Sequence, residues 1–159
     1  MSDAPALDMS GICAECGYDM TRLSNDAIVD LIASFSLEEF LPLSRVRPTP
    51  EVWSPLEYAW HLRESFDFYR DRITLVLSVD APQFEGGDFT VDPVETPGIV
   101  EWLHQGAKAV SALLRSLDDA HWERFGIGSY DGGRRDIRNL ASRLAHECVH
   151  HAMDIARFS

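Results

Sequence analysis

Eleven residues near the C-terminus, Ala145-His146-Glu147-Cys148-Val149-His150-His151-Ala152-Met153-Asp154-Ile155, constrain this chain more than any other stretch. Leu140, Leu144 and Ile155 recur around them at helical spacing, so the cluster sits on a helix. With His151 as zero and about 100° per residue, Leu144 falls at about +20°, Leu140 at about −20° and Glu147 at about −40°. Ile137 and Ile155 fall at about +40° and Cys148 at about +60°. Glu147 and His151 therefore share the apolar face, one turn apart. His146 and His150 fall at about −140° and −100°, beside Arg143 and Asn139, and are expected on the solvent side or at a groove edge.

A carboxylate and an imidazole on an apolar face need a partner, because an uncompensated buried charge costs several kcal/mol. Either the pair closes on itself as a Glu–His hydrogen bond at the core edge, or it holds a cation with a third ligand. His61 suits the third position. It lies about 10 Å into the second helix, and His151 lies about 9 Å from the end of the last. These depths match only if the two helices are antiparallel, whereas an up-down-up-down bundle would make them parallel. A long connection must then cross the bundle, and the segments around 80–95 and 118–135 are both long enough.

A chain of 159 residues makes one domain with a real core. Its formal charge of −12 argues against a nucleic-acid or anionic-membrane surface, which needs clustered Lys and Arg. No apolar run approaches the ~20 residues of a membrane span. Met1-Ser2-Asp3-Ala4-Pro5 lacks the basic start and apolar core of a signal peptide, so a cytoplasmic location is expected. Three cysteines without an export signal read as thiols or metal ligands before disulfides.

Residues 1–23 read as a tail and 24–159 as a bundle. The tail carries Cys13-Ala14-Glu15-Cys16-Gly17, the shape of a zinc knuckle. No second Cys-x-x-Cys supplies the remaining ligands, so the motif is half a site, or a loose tail with two free thiols. The first helix is expected from about Asn25 to Leu41. The second opens on the capping box Ser54-Pro55-Leu56-Glu57, with Trp53 able to staple onto its first turns, and stops near Ser78 to Asp80. The third is expected from Thr96-Pro97 to about Asp118, and Asp136 caps the fourth. A short hairpin over Gly126 to Arg135 is allowed, but no convincing sheet. The fold class is an all-α four-helix bundle with a long crossover connection.

Trp53-Ser54-Pro55-Leu56-Glu57-Tyr58-Ala59-Trp60-His61-Leu62 resembles the second-helix signature of the DinB-like superfamily. The run from Asp136 through His150-His151-Ala152-Met153-Asp154-Ile155 resembles its last-helix signature. The resemblance spans about residues 24 to 157. It implies a bundle with a divalent metal, expected to be zinc, near one end, its ligands His61, Glu147 and His151. Many members use histidine where Glu147 stands; the glutamate form is similar to the branch containing mycothiol-dependent maleylpyruvate isomerase. The activity so implied is a metal-dependent thiol transferase or isomerase, in which a metal-activated low-molecular-weight thiol attacks a small electrophile.

Glu57 and Asp154 are expected to orient the imidazoles. Arg134 and Arg135 can bind a carboxylate, although an ordinary solvated pair is the simpler expectation. Cys148 reads as a buried apolar thiol. Cys13 and Cys16 depart from the family pattern. A second, non-catalytic reading has them fold over the bundle end and complete the metal site as a structural or thiol-sensing device. A third is a dimerisation module, a homodimer with a vestigial pocket and no metal.

Overall fold

Most of the helices open on a capping side chain. The structure, a computed structural model, describes residues 11–86, 98–129 and 131–159. In α1 (Asn25–Ala33), Ser24 accepts the Ala27 N–H. In α2 (Pro55–Ser78), both halves of the Ser54–Glu57 capping box are made. Trp53 meets Tyr58 edge-on at 5.6 Å, closing a hydrophobic staple. α3 (Ile99–Arg115) follows Gly98, which caps it in the left-handed region. The expected opening at Thr96-Pro97 lies outside the described residues. α4 (Asp119–Trp122) is a single turn, and α5 (Ile137–Arg157) begins where Asp136 accepts the Asn139 N–H.

Two helices end earlier than their sequence pattern suggested. α1 stops at Ala33 rather than Leu41, because Phe35 and Leu37 both enter the core. Positions two apart point about 200° from each other on a helix, so the chain leaves helical geometry to bury both. α3 stops at Arg115 rather than Asp118, because the Asp118 side chain turns to accept the His121 N–H and starts α4.

A small sheet forms in addition to the allowed hairpin, correcting the expectation of no sheet. β2 (Phe125–Gly128) pairs antiparallel with β3 (Arg134–Asp136), and β1 (Gln83–Phe84) joins β2 in parallel. Phe84 packs directly over Gly126, where a Cβ would come within 2.3 Å of its ring. A strand of two residues carries no periodicity, so β1 is created by this contact rather than by local pattern.

α1 packs against α3 and α5, and α2 packs against the same two. Tyr58 meets His151 while Tyr69 shares a cleft with Leu140 and Arg143, so α2 and α5 are antiparallel. Trp60 meets Trp102 and Phe66 meets Gly106, so α2 and α3 are parallel. Parallel successive helices require their connection to return along the bundle. That is the crossover the depths of His61 and His151 demanded, and it contains residues 87–97, outside the described set.

The N-terminal segment docks on α5. Cys13 N–H donates to Tyr18 O at 2.8 Å, Gly17 N–H donates to Cys13 O at 2.9 Å, and Ile12 bridges Asp19. Gly17 turns at φ +75°, a conformation that costs a residue with a Cβ about 1–2 kcal/mol. Tyr18 OH lies 2.7 Å from Ser142 Oγ, and Arg138 donates to the Met20 and Leu23 carbonyls. This segment covers the α5 face that was expected to meet solvent. His146 and His150 are each only 2% exposed, which corrects their outward placement. The helical wheel was right about the angle; the far side of the helix simply has a second layer on it. Among the described residues no helix is long and apolar enough to cross a membrane.

Candidate metal centre

The α2 capping box fixes where the second helix starts, and His61 lies on its second turn. Antiparallel packing brings His61 to the last turns of α5. His61 Nε2 and His151 Nε2 each lie 3.2 Å from Glu147 Oε2. The three donor atoms all fall within 4.8 Å of one another. Donors on a tetrahedral ion at ~2.0–2.1 Å sit about 3.3 Å apart, so the arrangement needs little adjustment to hold one. Trp53 lies tilted 5.2 Å from His61 and Tyr58 lies 5.1 Å from His151, walling the imidazoles in. Glu147, with 16% of its side chain exposed, is the most open of the three.

The charges favour a cation here. Asp154 Oδ2 accepts from His151 Nδ1 at 3.0 Å, which leaves Nε2 as the atom turned to Glu147. His151 Nε2 is buried and makes no aligned hydrogen bond among the described residues, despite its closeness to Glu147. Burial works against charging His151, but the Asp154 and Glu147 carboxylates outweigh it and raise its pKa. Burial likewise works against ionising Glu147, and the His151 and His61 imidazoles overcome it, bringing the carboxyl down to about 2. A carboxylate braced between imidazoles asks for positive charge, and a divalent ion supplies it in the proton's place.

Of the two residues expected to support the imidazoles, the structure brings Asp154 to His151 but not Glu57 to His61. Glu57 accepts from Arg47 Nε at 2.9 Å and from the Ser54 backbone N–H at 2.8 Å, so its oxygens are spent on the cap and the 44–50 loop. Arg134 stacks on Phe125 at 3.9 Å and Arg135 pairs with Asp131 at 2.6 Å. Cys148 is buried, burial pushes its thiol pKa up, and it belongs to neither ligand cluster.

Cys13 and Cys16 do not reach the His61–Glu147–His151 group. They meet His146 and His150, and the four ligand atoms again lie within 4.8 Å of one another. The expectation that they complete the first cluster is therefore corrected. The reason is lateral: the tail crosses the side of α5 rather than its end. Sequence reasoning missed this second group, although Cys-x2-Cys and His-x3-His were both visible. Angle alone puts both histidines on the solvent side or at a groove edge, away from any ligand partner.

Two further groups were not singled out. Glu64, one turn after His61, has a buried Oε2 with no hydrogen-bond partner among the described residues, and burial raises its pKa. A cleft of about 360 Å³ is lined by Phe68, Tyr69, Arg72, Phe84, Arg135 and Arg143 among others. Arg143 lies one turn before Glu147, and Tyr69 lines the cleft with its hydroxyl pKa pushed up by burial and then by the charge of Glu147.

No curated protein matches the sequence. Among solved structures, the chain is similar to YfiT from Bacillus subtilis, described as a probable metal-dependent hydrolase with an unusual four-helix bundle topology. The TM-score is 0.69 at 18% identity, covering 84% of this chain and 86% of that one. The sequence profile of the DinB superfamily matches residues 26–155, which takes in α1 through all but the last residues of α5. With the crossed bundle and both helix signatures inside that span, the chain belongs to the DinB superfamily.

Proposed function

We propose that this protein is a metal-dependent enzyme, a thiol transferase or isomerase using a low-molecular-weight thiol, mycothiol being the candidate from the family branch it resembles. The observation that carries the reading is the convergence of His61, Glu147 and His151. Three protein ligands of nitrogen and oxygen type suit zinc and leave a coordination position for a reactant. A divalent ion bound there lowers the pKa of a thiol or water that joins it.

The chain's own groups supply the rest. Asp154 fixes the tautomer of His151 by accepting its Nδ1–H. Trp53 and Tyr58 keep water from the imidazoles. Glu64, one turn after His61 with a carboxyl pKa raised by burial, is the candidate group to accept the thiol proton. Arg72 and Arg143 pair with no carboxylate among the described residues and give the adjacent cleft the charge for an anionic electrophile. A thiol co-substrate and three free cysteines suit a reducing compartment, hence the cytoplasm.

The test is a turnover assay of zinc-loaded protein with mycothiol, or glutathione as surrogate, and a small carboxylated electrophile such as maleylpyruvate. Thiol-dependent turnover that disappears in His61→Ala with His151→Ala supports the reading; unchanged turnover in that variant defeats it. The description of YfiT favours a second reading, hydrolysis with water in the open position. Turnover of an ester or amide substrate without any thiol would select it.

A further inference from the structure

The structure assigns a second metal site to this chain: Cys13, Cys16, His146 and His150 form a structural zinc centre that clamps the N-terminal segment to the side of α5. It is separate from the His61–Glu147–His151 centre and does not depend on the function proposed for that centre. The four ligand atoms lie within 4.8 Å of one another, and Cys13, His146 and His150 are buried. Cys13 Sγ lies 3.5 Å from His150 Nδ1. With Zn–S of ~2.3 Å and Zn–N of ~2.0–2.1 Å, sulfur and nitrogen on a tetrahedral zinc sit about 3.5 Å apart.

Independent features point to a ligand at this place. His146 Nε2 is buried with no hydrogen-bond partner among the described residues, in a side chain 98% removed from solvent by its 2% exposure. His150 turns Nδ1 to the thiol and Nε2 to carboxylates, 3.6 Å from both Asp154 Oδ2 and Glu15 Oε2. That is the outer support that metal-ligating histidines ordinarily have. The Cys13–Tyr18 turn, with Gly17 at positive φ, has the knuckle form that presents two thiolates to one ion. Two sulfurs and two imidazoles select zinc over magnesium or calcium. Binding releases one proton from each thiol, so the two thiolates neutralise the ion and the buried site carries no net charge. All four positions come from the protein, so the site is closed and structural.

The same donors could instead stand empty, with Cys13 and Cys16 oxidised to a disulfide. Metal content and spectroscopy separate these outcomes. Untagged full-length protein, purified under reducing conditions and dialysed against zinc, is expected to hold two equivalents by elemental analysis. Cobalt-substituted protein freed of small thiols by dialysis is expected to show sulfur-to-cobalt charge-transfer absorption, for which His61, Glu147 and His151 offer no sulfur. The His61→Ala, His151→Ala variant should keep one equivalent and this absorption. Cys13→Ser with Cys16→Ser should lose both the absorption and one equivalent. Should that variant fail to fold by circular dichroism, thiol titration of the wild type decides: two thiols become reactive only after chelation. Absence of the sulfur band in the wild type, unchanged metal content in a folded cysteine variant, or thiols already reactive before chelation would overturn the assignment.

Discussion

Asp154 stands between the two ligand clusters. One of its oxygens takes the Nδ1 proton of His151 at 3.0 Å and lies 3.6 Å from Nε2 of His150. It therefore orients a histidine of each cluster. Asp154→Asn keeps the shape but removes the charge that raises the basicity of His151. Metal affinity at the His61–Glu147–His151 centre should fall ~10–100-fold, measured by competition with a chromophoric chelator. Glu64→Gln should behave differently. It leaves all three ligands in place, so zinc content stays unchanged while the pH-dependent limb of thiol turnover is lost. Loss of zinc in this variant would mean that Glu64 supports the fold of the centre rather than the proton transfer.

At the scale of the element, α2 has to begin at Pro55 for His61 to reach α5. The Ser54–Glu57 box sets that start, and Arg47 anchors it from the preceding loop. Ser54→Ala should cost about 1 kcal/mol, and at most ~2, in urea unfolding. Glu57 also gives the cap a pH dependence. Hydrogen bonding by Arg47 is the largest influence on it and outweighs burial, so its folded pKa lies below the ordinary 4.5. The stabilisation from a depressed carboxyl is complete above that ordinary value and is lost as pH falls through the folded one. Glu57→Gln should flatten the decline in stability below about pH 4.5 seen in the wild type. The sheet has a comparable single point of dependence. Gly126→Ala forces the Phe84 ring away and should destabilise by ~1–3 kcal/mol, read as a fall in Tm.

Across the whole molecule, α5 is covered on opposite sides. α2 brings His61 to one face, and residues 11–23 bring Cys13, Cys16 and Tyr18 to the other. Both clusters therefore join parts of the chain that are distant in sequence. Chelation with a strong zinc chelator should lower Tm in the wild type, and by less in the Cys13→Ser, Cys16→Ser variant, since only one joint remains to be broken. Equal shifts in both proteins would show that the N-terminal joint adds nothing to stability.

Much of this was legible before any tertiary structure. The box at Ser54, the cap at Asp136 and the apolar stripes are local devices, encoded in residues within a turn or two of one another. The pairing of Glu147 with His151 is also local, a consequence of 3.6 residues per turn. The need for an antiparallel α2 and α5 followed from two depths measured along helices. What local periodicity does not contain is what lies across a face. A wheel sorts side chains by angle and takes polar to mean solvent, so it placed His146 and His150 outside. Only the docking of Tyr18 on Ser142 and of Arg138 on the Met20 and Leu23 carbonyls turned that polar face into an interior. The sequence by itself determined the bundle, its helix caps and the face that Glu147 and His151 share. Tertiary structure decided where the two cysteines go, because that depends on contacts between the two ends of the chain.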